Sequence, residues 1–471
     1  MPIQRRRFLQ WPAAAATAPL LASCGGGGGS GTPAPPPAPK KNVMVIVIDD
    51  LNDWVGFLGN NQVKTPHMDA LAAESTNFRQ AYCNEPLCNP SRSSAWSGLM
   101  PAQTGVFDNW ASLKVNNPAA VLLPTWMASH GYEVAQYGKI NHVYTEVPLT
   151  FPATLPASNL QCSGYPNVNP EGMFDWGASP ADETAMPDYA YAQSGIDFLS
   201  RSHDKPFMLC VGMVRTHVAW YVPQKYLDMY PIDQVQVPQV PADDLADIPA
   251  QGKKLALFQN SHDCITRQNL WAEATRAFMA SISFVDSQIG RLMQALKDSG
   301  RDQDTTVVLW SDNGFHLGQK FHWHKQALWE TTTHVPFLVR QAGAARGQVV
   351  DAAVSLIDFM PTVLDITGVP APYALDGRSL SPLLATPTRA WDHPVLMTNA
   401  AMDAQNKYAL PNAGNPYDYA VRSNRWRYIR YRDGGQELYD ESADPTEYTN
   451  VAGVAANADV ITQLAALMPA R

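Results

Sequence analysis

The stretch VMVIVIDD at residues 43–50 decides how this chain is expected to fold. Its first six residues are apolar and mostly β-branched, and the run stops abruptly at Asp49-Asp50. A continuous apolar run of this length is typical of a strand that is buried on both faces of a parallel sheet. Because such sheets bind ligands at the carboxyl ends of their strands, the two acids predict a binding site at that end.

A second strand with the same kind of ending is expected at residues 306–310, which lead into Asp312-Asn313-Gly314. A helix is predicted before it, because apolar residues recur at spacings of four and three at Phe278, Ile282, Val285, Ile289, Leu292 and Leu296. Alternation of strands and helices indicates an α/β fold.

The chain changes character after about residue 390. Aromatic and apolar side chains alternate with basic ones over Trp426–Tyr431, and Asp433-Gly434-Gly435 then supplies a turn. This pattern predicts an antiparallel hairpin within a smaller C-terminal subdomain.

Composition limits the classes of protein to which the chain can belong. Its 471 residues are 45% hydrophobic, which is enough for one large core with a smaller satellite. The formal net charge of -9 argues against a nucleic-acid partner. No run of eighteen apolar residues follows the N-terminal region, so no membrane span is expected.

The N-terminal region is predicted to be an export signal. Arg5–Leu9 is a twin-arginine pattern, and the apolar run Trp11–Ala22 is too short to span a bilayer. Leu21–Cys24 resembles the bacterial lipobox, which implies a lipid on Cys24 and a signal peptide at residues 1–23. An ordinary signal peptide with an incidental cysteine is the alternative.

Residues 24–41 form a run of glycines followed by a proline-rich stretch, which predicts a tether without a core of its own. The mature protein is therefore expected in the periplasm or at the cell surface. It would contact the membrane only through the lipid, after passage through the twin-arginine export machinery.

Six cysteines occur in the chain. Cys24 is assigned to the lipid, and Cys88 is considered below. Cys83, Cys162, Cys210 and Cys264 remain as disulfide partners or buried thiols.

The residues that carry chemistry centre on Cys88-Asn89-Pro90-Ser91-Arg92, followed by Ser97-Gly98. Taken alone, Cys88 is a buried thiol or a disulfide partner of Cys83. With Pro90 and Arg92, the segment resembles the signature of the sulfatases, and similar stretches run from about Asn42 to the C-terminus. The resemblance implies an alkaline-phosphatase-like α/β fold.

That fold has a large mixed or parallel sheet between layers of helices, expected here at residues 42–390. A smaller subdomain with an antiparallel sheet is expected at residues 391–471. In the family, a formylglycine-generating enzyme oxidises the cysteine to formylglycine, whose hydrate has two hydroxyls on one carbon. One hydroxyl attacks sulfur and the other expels sulfate, and Arg92 is expected to hold the hydrate.

A metal site is predicted from the two strand ends. Asp49, Asp50, Asp312 and Asn313 offer hard oxygens, which suit one calcium ion, with the modified Cys88 as a further ligand. A cation there would stabilise the nucleophile. Taken singly, the acidic pairs are equally well explained as a helix cap and a turn; their occurrence together with the cysteine motif favours the metal.

The remaining site residues follow from the resemblance. Lys139 and Lys325 are expected to bind sulfate oxygens, His142 to hydrogen-bond the hydrate, and His217 to protonate the leaving alcohol oxygen. Without the resemblance, each would be taken as a solvated lysine or a partly buried histidine.

The spacing of Gly138-Lys139 and His142 is most similar to the iduronate-2-sulfatase group, which implies a sulfated carbohydrate substrate. Asn313 stands where that group has histidine, and Arg215-Thr216 replaces its usual Lys-Pro before His217, so the substrate's identity stays open.

Two other functions compete with this interpretation. A phosphatase or phosphonate hydrolase of the same superfamily acts on a similar tetrahedral ester, although two-zinc phosphatases need further ligands that the sequence lacks. A non-catalytic, glycan-binding surface lipoprotein would use the thirteen tryptophans to stack on sugars.

Overall fold

The computed structural model describes residues 41–142, 174–400 and 417–469. The strands in these ranges are β1 Asn42–Ile48, β2 Thr76–Tyr82, β3 Glu133–Gly138, β4 Trp176–Ala178, β5 Phe207–Gly212, β6 Trp220–Val222, β7 Thr305–Ser311, β8 Phe337–Arg340, β9 Gln348–Ser355, β10 Val395–Ala400, β11 Tyr417–Arg422, β12 Trp426–Arg430 and β13 Gln436–Asp440.

The helices in the same ranges are α1 Pro66–Ala73, α2 Cys88–Ser97, α3 Pro101–Thr104, α4 Leu113–Asn116, α5 Leu123–Ser129, α6 Pro187–Ser200, α7 Gln224–Leu227, α8 Ala250–Ala256, α9 Ser261–Arg267, α10 Trp271–Asp298, α11 Glu330–Thr333, α12 Phe359–Thr367, α13 Ser381–Ala385 and α14 Ala458–Ala465. The predicted signal, the tether up to residue 40, and Cys162 lie outside the described residues.

The main sheet has the strand order β3-β5-β1-β7-β8-β2-β9. β1 pairs in parallel with β5 and β7, β3 with β5, and β2 with β9. β8 is antiparallel to both of its neighbours, β7 and β2. The predicted mixed α/β sheet is therefore confirmed.

The central strand β1 is covered on both faces. Every one of its residues is buried. Its alternate side chains enter two separate core clusters, Met44 and Ile46 beside residues of α10, and Val43 and Val45 beside residues of α2 and α12. Helices on both faces are the reason that the stretch is apolar at every position.

The helix predicted from apolar spacing is α10, which runs for 28 residues. The six residues that suggested it are all fully buried. The helix begins earlier than those residues because Ala274 and Ala277, also buried, continue the same face. Its Asp286 accepts hydrogen bonds from the backbone N–H groups of His67 and Met68, and thereby caps the start of α1.

A second, antiparallel sheet has the order β10-β11-β12-β13 and contains the predicted hairpin, formed by β12 and β13. The hairpin turn places Gly434 at a φ of 95°, which favours glycine. The described chain from residue 41 onward is one compact unit. The predicted boundary at residue 391 stays a prediction.

A buried cluster of arginines and glutamates links this sheet to the segment before β8. Arg427 donates to the carbonyl of Leu328 at 2.8 Å and pairs with Glu330 and, at 2.8 Å, with Glu447. Burial, followed by the neighbouring Glu330 and Glu447, raises the pKa of Glu441 to about 9. One carboxyl of the cluster therefore keeps its proton at neutral pH.

Residues 318–330, named here the Lys325 segment, are held by further buried contacts. Glu437 of β13 accepts hydrogen bonds from Trp329 Nε1 at 2.8 Å and from the hydroxyls of Tyr431 and Tyr439 at 2.7 Å each. Lys320 pairs with Asp244 at 2.7 Å. The C-terminal sheet thus fixes the position of the Lys325 segment.

We expect Arg427→Ala to lower the free energy of unfolding by about 3–5 kcal/mol, because it leaves buried glutamates without their cation. Arg425→Ala is the control, since Arg425 lies two residues away, in the turn between β11 and β12, but its pair with Asp440 is exposed. Urea unfolding measures both variants. Equal, small losses for the two would show that the buried cluster does not hold the sheet.

The predicted alternatives for the cysteines, disulfide partner or buried thiol, have different outcomes. Cys83, Cys88 and Cys210 are free and buried, which excludes a Cys83–Cys88 disulfide, while Cys264 is disulfide-bonded. Within the described ranges, no helix combines the length and the apolar character that a bilayer span requires.

Candidate active site

The two predicted acidic strand ends meet at one edge of the main sheet. β1 and β7 are paired so that Ile48 lies opposite Ser311, the last residue of β7. Asp50 N–H donates to Asp312 Oδ1 at 3.0 Å, and Asn313 Nδ2 donates to Asp50 Oδ1 at 2.8 Å. Asp50 has a φ of 60°, a left-handed conformation that Asp and Asn tolerate.

The oxygens of this edge fit a hard cation. Ligand oxygens of Asp49, Asp50 and Asp312 lie within 4.8 Å of one another. Asp50 Oδ2 and Asn313 Oδ1 are buried and accept no hydrogen bond from the described residues. Buried carboxylate and amide oxygens without donors are costly unless a cation or water satisfies them, so the donor set suits calcium.

Cys88 is the first residue of α2. It faces the acids Asp49, Asp50 and Asp312 at the ends of β1 and β7, which are named here the acidic edge. Its Sγ lies 3.8 Å from Asp50 Oδ1 and 2.8 Å from Lys325 Nζ. Burial, followed by the charge of Asp49, raises the pKa of the thiol far above its ordinary value. The unmodified thiol is thus uncharged and a poor nucleophile.

Arg92 lies one helical turn after Cys88 and is completely buried. Its Nε donates to Asp312 Oδ2 at 2.6 Å, and its Nη2 lies 3.4 Å from Asp49 Oδ1. Nη1 donates to the carbonyls of Lys139 and Ile140. In the described chain, Arg92 makes no hydrogen bond to Cys88 Sγ; it fixes the carboxylates and the end of β3.

The two predicted lysines each pair with one acid of Asp49-Asp50. Lys139 Nζ bonds to Asp49 Oδ2, and Lys325 Nζ bonds to Asp50 Oδ1 at 2.6 Å. Burial alone would lower the pKa of both lysines, but the carboxylates raise it, so both are protonated. Burial likewise opposes ionisation of Asp49, yet the charges of Lys139 and Arg92 hold its pKa well below its usual value.

The two predicted histidines are neutral in this arrangement. His217 Nε2 lies 3.8 Å from Asp50 Oδ2, and its Nδ1 is 2.5 Å from the carbonyl of Val218. Burial, together with the charge of Lys325, lowers the pKa of His217 to about 4. Burial and Lys139 lower that of His142 to about 3. All the predicted site residues therefore belong to one region.

Several residues that support the site were not predicted. Thr216 donates through both N–H and Oγ1 to the carbonyl of Asp49, and Ser311 Oγ accepts from Leu51 N–H at 2.9 Å. Ser91 Oγ donates to the carbonyl of Asp312 at 2.5 Å. Their positions beside motif residues are the only sequence signal that could have identified them.

His322 and His324, which superficially look like metal ligands, have structural contacts. His322 lies between the carbonyls of Ala256, at 3.2 Å, and Lys325, at 3.0 Å. His324 Nε2 lies 3.2 Å from Ser261 Oγ. His322 therefore braces the backbone of Lys325.

Comparison with known proteins gives matches over nearly the whole chain. The Sulfatase family profile matches residues 41–369, and a profile for the C-terminal region of N-sulphoglucosamine sulphohydrolase matches residues 318–470. A curated relative from Formosa agariphila, named Sulfatase, is 32% identical over 450 residues, which cover 91% of this chain and 86% of the relative.

Solved structures share the fold. The phosphonate monoester hydrolase of Agrobacterium radiobacter superposes with a TM-score of 0.75 at 23% identity, covering 91% of this chain and 94% of that one. The structure of BT4656 in complex with its substrate, D-glucosamine-2-N,6-O-disulfate, gives a TM-score of 0.71 at 22% identity, covering 91% and 96%.

Proposed function

We propose a specific activity for this chain, which belongs to the sulfatase family of the alkaline-phosphatase-like superfamily and is a sulfuric ester hydrolase. It removes sulfate from a carbohydrate, using a formylglycine made from Cys88 and one calcium ion. The finer likeness to the iduronate-2-sulfatase group stays a prediction.

One observation carries this proposal. Cys88 opens a buried helix and faces Asp50, whose Oδ2 has no hydrogen-bond donor in the described chain. The negative oxygen of a nucleophile and a carboxylate oxygen without a donor repel each other. A cation beside both oxygens removes this repulsion, so the arrangement calls for a cation.

Asp49, Asp50, Asp312 and Asn313 would hold calcium, with the modified Cys88 as a further ligand. When bound, the ion would stabilise negative charge on the nucleophile and polarise the sulfate oxygens. Oxidation of Cys88 by a formylglycine-generating enzyme would place two hydroxyls on its Cβ, one to attack sulfur and one to expel sulfate.

The lysines prepare the site for an anion. Lys139 and Lys325 are buried, charged and already within the acidic edge. A sulfate monoester would exchange the contact between Lys325 and Cys88 for one between Lys325 and a sulfate oxygen. Arg92 keeps Asp49 and Asp312 in place during this exchange, because its donors bind both carboxylates.

His217 is assigned the proton for the leaving alcohol oxygen. If Nδ1–H donates to the carbonyl of Val218, Nε2 remains as the nitrogen that faces Asp50 and the site. An arriving sulfate anion raises the proton affinity of this imidazole. His142, whose Nδ1 has no partner in the described chain, is assigned the hydrogen bond to the hydrate.

The substrate class is proposed as a sulfated carbohydrate. Support comes from the family match and from BT4656, whose complex contains a sulfated glucosamine as its substrate. A phosphonate or phosphate ester is the second candidate, favoured by the TM-score of 0.75 to a phosphonate monoester hydrolase.

Export and anchoring are also proposed. The twin-arginine pattern and the lipobox at Cys24 place the enzyme in the periplasm or at the cell surface, held by its lipid alone. Cys24→Ala should move the protein from the membrane fraction to the soluble fraction, and retention at the membrane would contradict the lipid anchor.

The function is tested by expressing the protein with a formylglycine-generating enzyme. Mass spectrometry of the Cys88 peptide is expected to show the aldehyde, and sulfate release should exceed phosphate release from matched esters by at least about a hundredfold. An unmodified thiol together with no turnover would favour the glycan-binding lipoprotein, and preferential phosphonate hydrolysis would favour the second candidate.

A further inference from the structure

A small pocket of about 40 Å³ opens beside Lys325, where three parts of the chain meet. Gln251 and Lys254 come from α8, His322 and Lys325 from the Lys325 segment, and Arg432 from the turn between β12 and β13. Because Lys325 also bonds to Asp50 and to Cys88, the pocket adjoins the reacting centre.

The pocket has an excess of positive charge. Neither Lys254 nor Arg432 forms an ion pair with any residue of the described ranges. Asp418 lies beside the pocket, but its Oδ1 accepts the backbone N–H of Arg432 at 2.8 Å and its Oδ2 accepts from Gln251 at 3.3 Å. On a chain with a net charge of -9, two cations at one pocket without an ion-pair partner among the described residues are a local exception.

The walls of the pocket are fixed by buried contacts. A Cβ added to Gly252 would lie 2.9 Å from the hydroxyl of Tyr431 and 2.6 Å from Glu437 Oε1, so α8 packs closely against the hairpin. Tyr431, the neighbour of Arg432, donates to Glu437 at 2.7 Å. The ring of His322 lies between the carbonyls of Ala256, at the end of α8, and Lys325, and donates to one of them. Such a site needs little reordering to bind a ligand.

We propose that Lys254 and Arg432 bind a second anionic group, a carboxylate or a further sulfate, on the sugar whose sulfate ester is hydrolysed. This inference rests on the proposed function. The guanidinium of Arg432 offers paired donors to two oxygens of such a group, and Lys254 supplies a single point charge. The pocket thereby selects sugars that carry at least two anions.

The test uses pairs of sulfated sugars that differ in one anion. One pair is N-sulfated and N-acetylated glucosamine 6-sulfate, and the other is a 2-sulfated glucuronoside beside the matching glucoside. For the double variant Lys254→Gln/Arg432→Gln, kcat/KM on the dianionic member of one pair should fall about 10- to 100-fold, mainly through KM. Activity on its monoanionic partner should stay within about twofold.

The matched control is Lys253→Gln/Arg425→Gln, which removes the same charge from the same helix and from a neighbouring turn of the C-terminal sheet, outside the pocket. It should leave both members unchanged. Equal losses of kcat/KM on both members, or equal wild-type kcat/KM values for both members, would overturn the inference. Either result would leave the proposed function intact. A wild-type enzyme that releases no sulfate from any member would instead overturn the proposed function, and the inference with it.

Discussion

Cys88→Ala is expected to lower kcat by about 10⁴-fold or more, because without the thiol the proposed aldehyde cannot form at Cβ. The fold should tolerate the change. The side chain is small and buried, so its loss costs packing at one position while the carboxylates and lysines around it stay paired. Sulfate release under saturating substrate measures the effect, and circular dichroism checks the fold.

Cys210→Ala is the matched control. Cys210 is also a free, buried thiol, but it lies within β5 away from the acidic edge. It should keep wild-type kcat with a modest loss of stability. A Cys88→Ala enzyme that retained a tenth of wild-type turnover would refute Cys88 as the source of the nucleophile.

Cys88→Ser separates the two roles of the proposed hydrate. A single hydroxyl can attack sulfur, but no second hydroxyl on the same carbon remains to expel sulfate. We therefore expect this variant to accumulate protein that is heavier by one sulfuryl group, detectable by intact mass. Multiple turnovers by this variant would show that water, and not a second hydroxyl, completes the reaction.

Asp50→Asn is expected to lower kcat by about 10³-fold and to weaken calcium binding. Asn is the substitution of choice because Asp50 has a positive φ, which Asn adopts more readily than Ala. The change replaces one anionic oxygen of the predicted ligand set and leaves the shape almost unaltered. It also removes the negative charge from the acceptor that Lys325 and Asn313 share.

The measurement compares melting temperatures in calcium and in a chelator. The wild-type protein should melt higher in calcium, because a ligand that binds only the folded state stabilises it, and Asp50→Asn should lose most of this difference. Asp286→Asn is the charge-matched control, since Asp286 is buried but already accepts two backbone N–H groups. If both variants keep the full calcium response, Asp50 does not bind the ion.

Much of the fold could be predicted because burial on two faces dictates an unbroken apolar strand. That argument located β1 and β7, and the parallel pairing of neighbours then brings Asp49 and Asp312 to one edge. The direction of β8 could not be predicted, because a run of four apolar or basic residues is compatible with either direction.

Other features depend on contacts between distant parts of the chain. The role of Arg92 toward the hydrate stays a prediction, but its hydrogen bonds to Asp312 and Asp49 could not be predicted, because the motif gives the residue type and not the partners that the fold supplies. The hydrogen bond of Arg427 to Leu328 spans 99 residues. No local pattern reveals that the C-terminal sheet holds the Lys325 segment.

The position of Cys88 along the chain determines how long it is accessible for the proposed oxidation. It is fully buried once folded, yet Lys325, which covers its Sγ, is synthesised 237 residues later, and the strands that hold the Lys325 segment later still. At about 5–20 residues per second, a ribosome needs on the order of tens of seconds to make that stretch. Cys88 is therefore accessible in the growing chain for this interval. We expect the yield of active enzyme to fall when the proposed oxidation takes longer than the interval before Cys88 is buried.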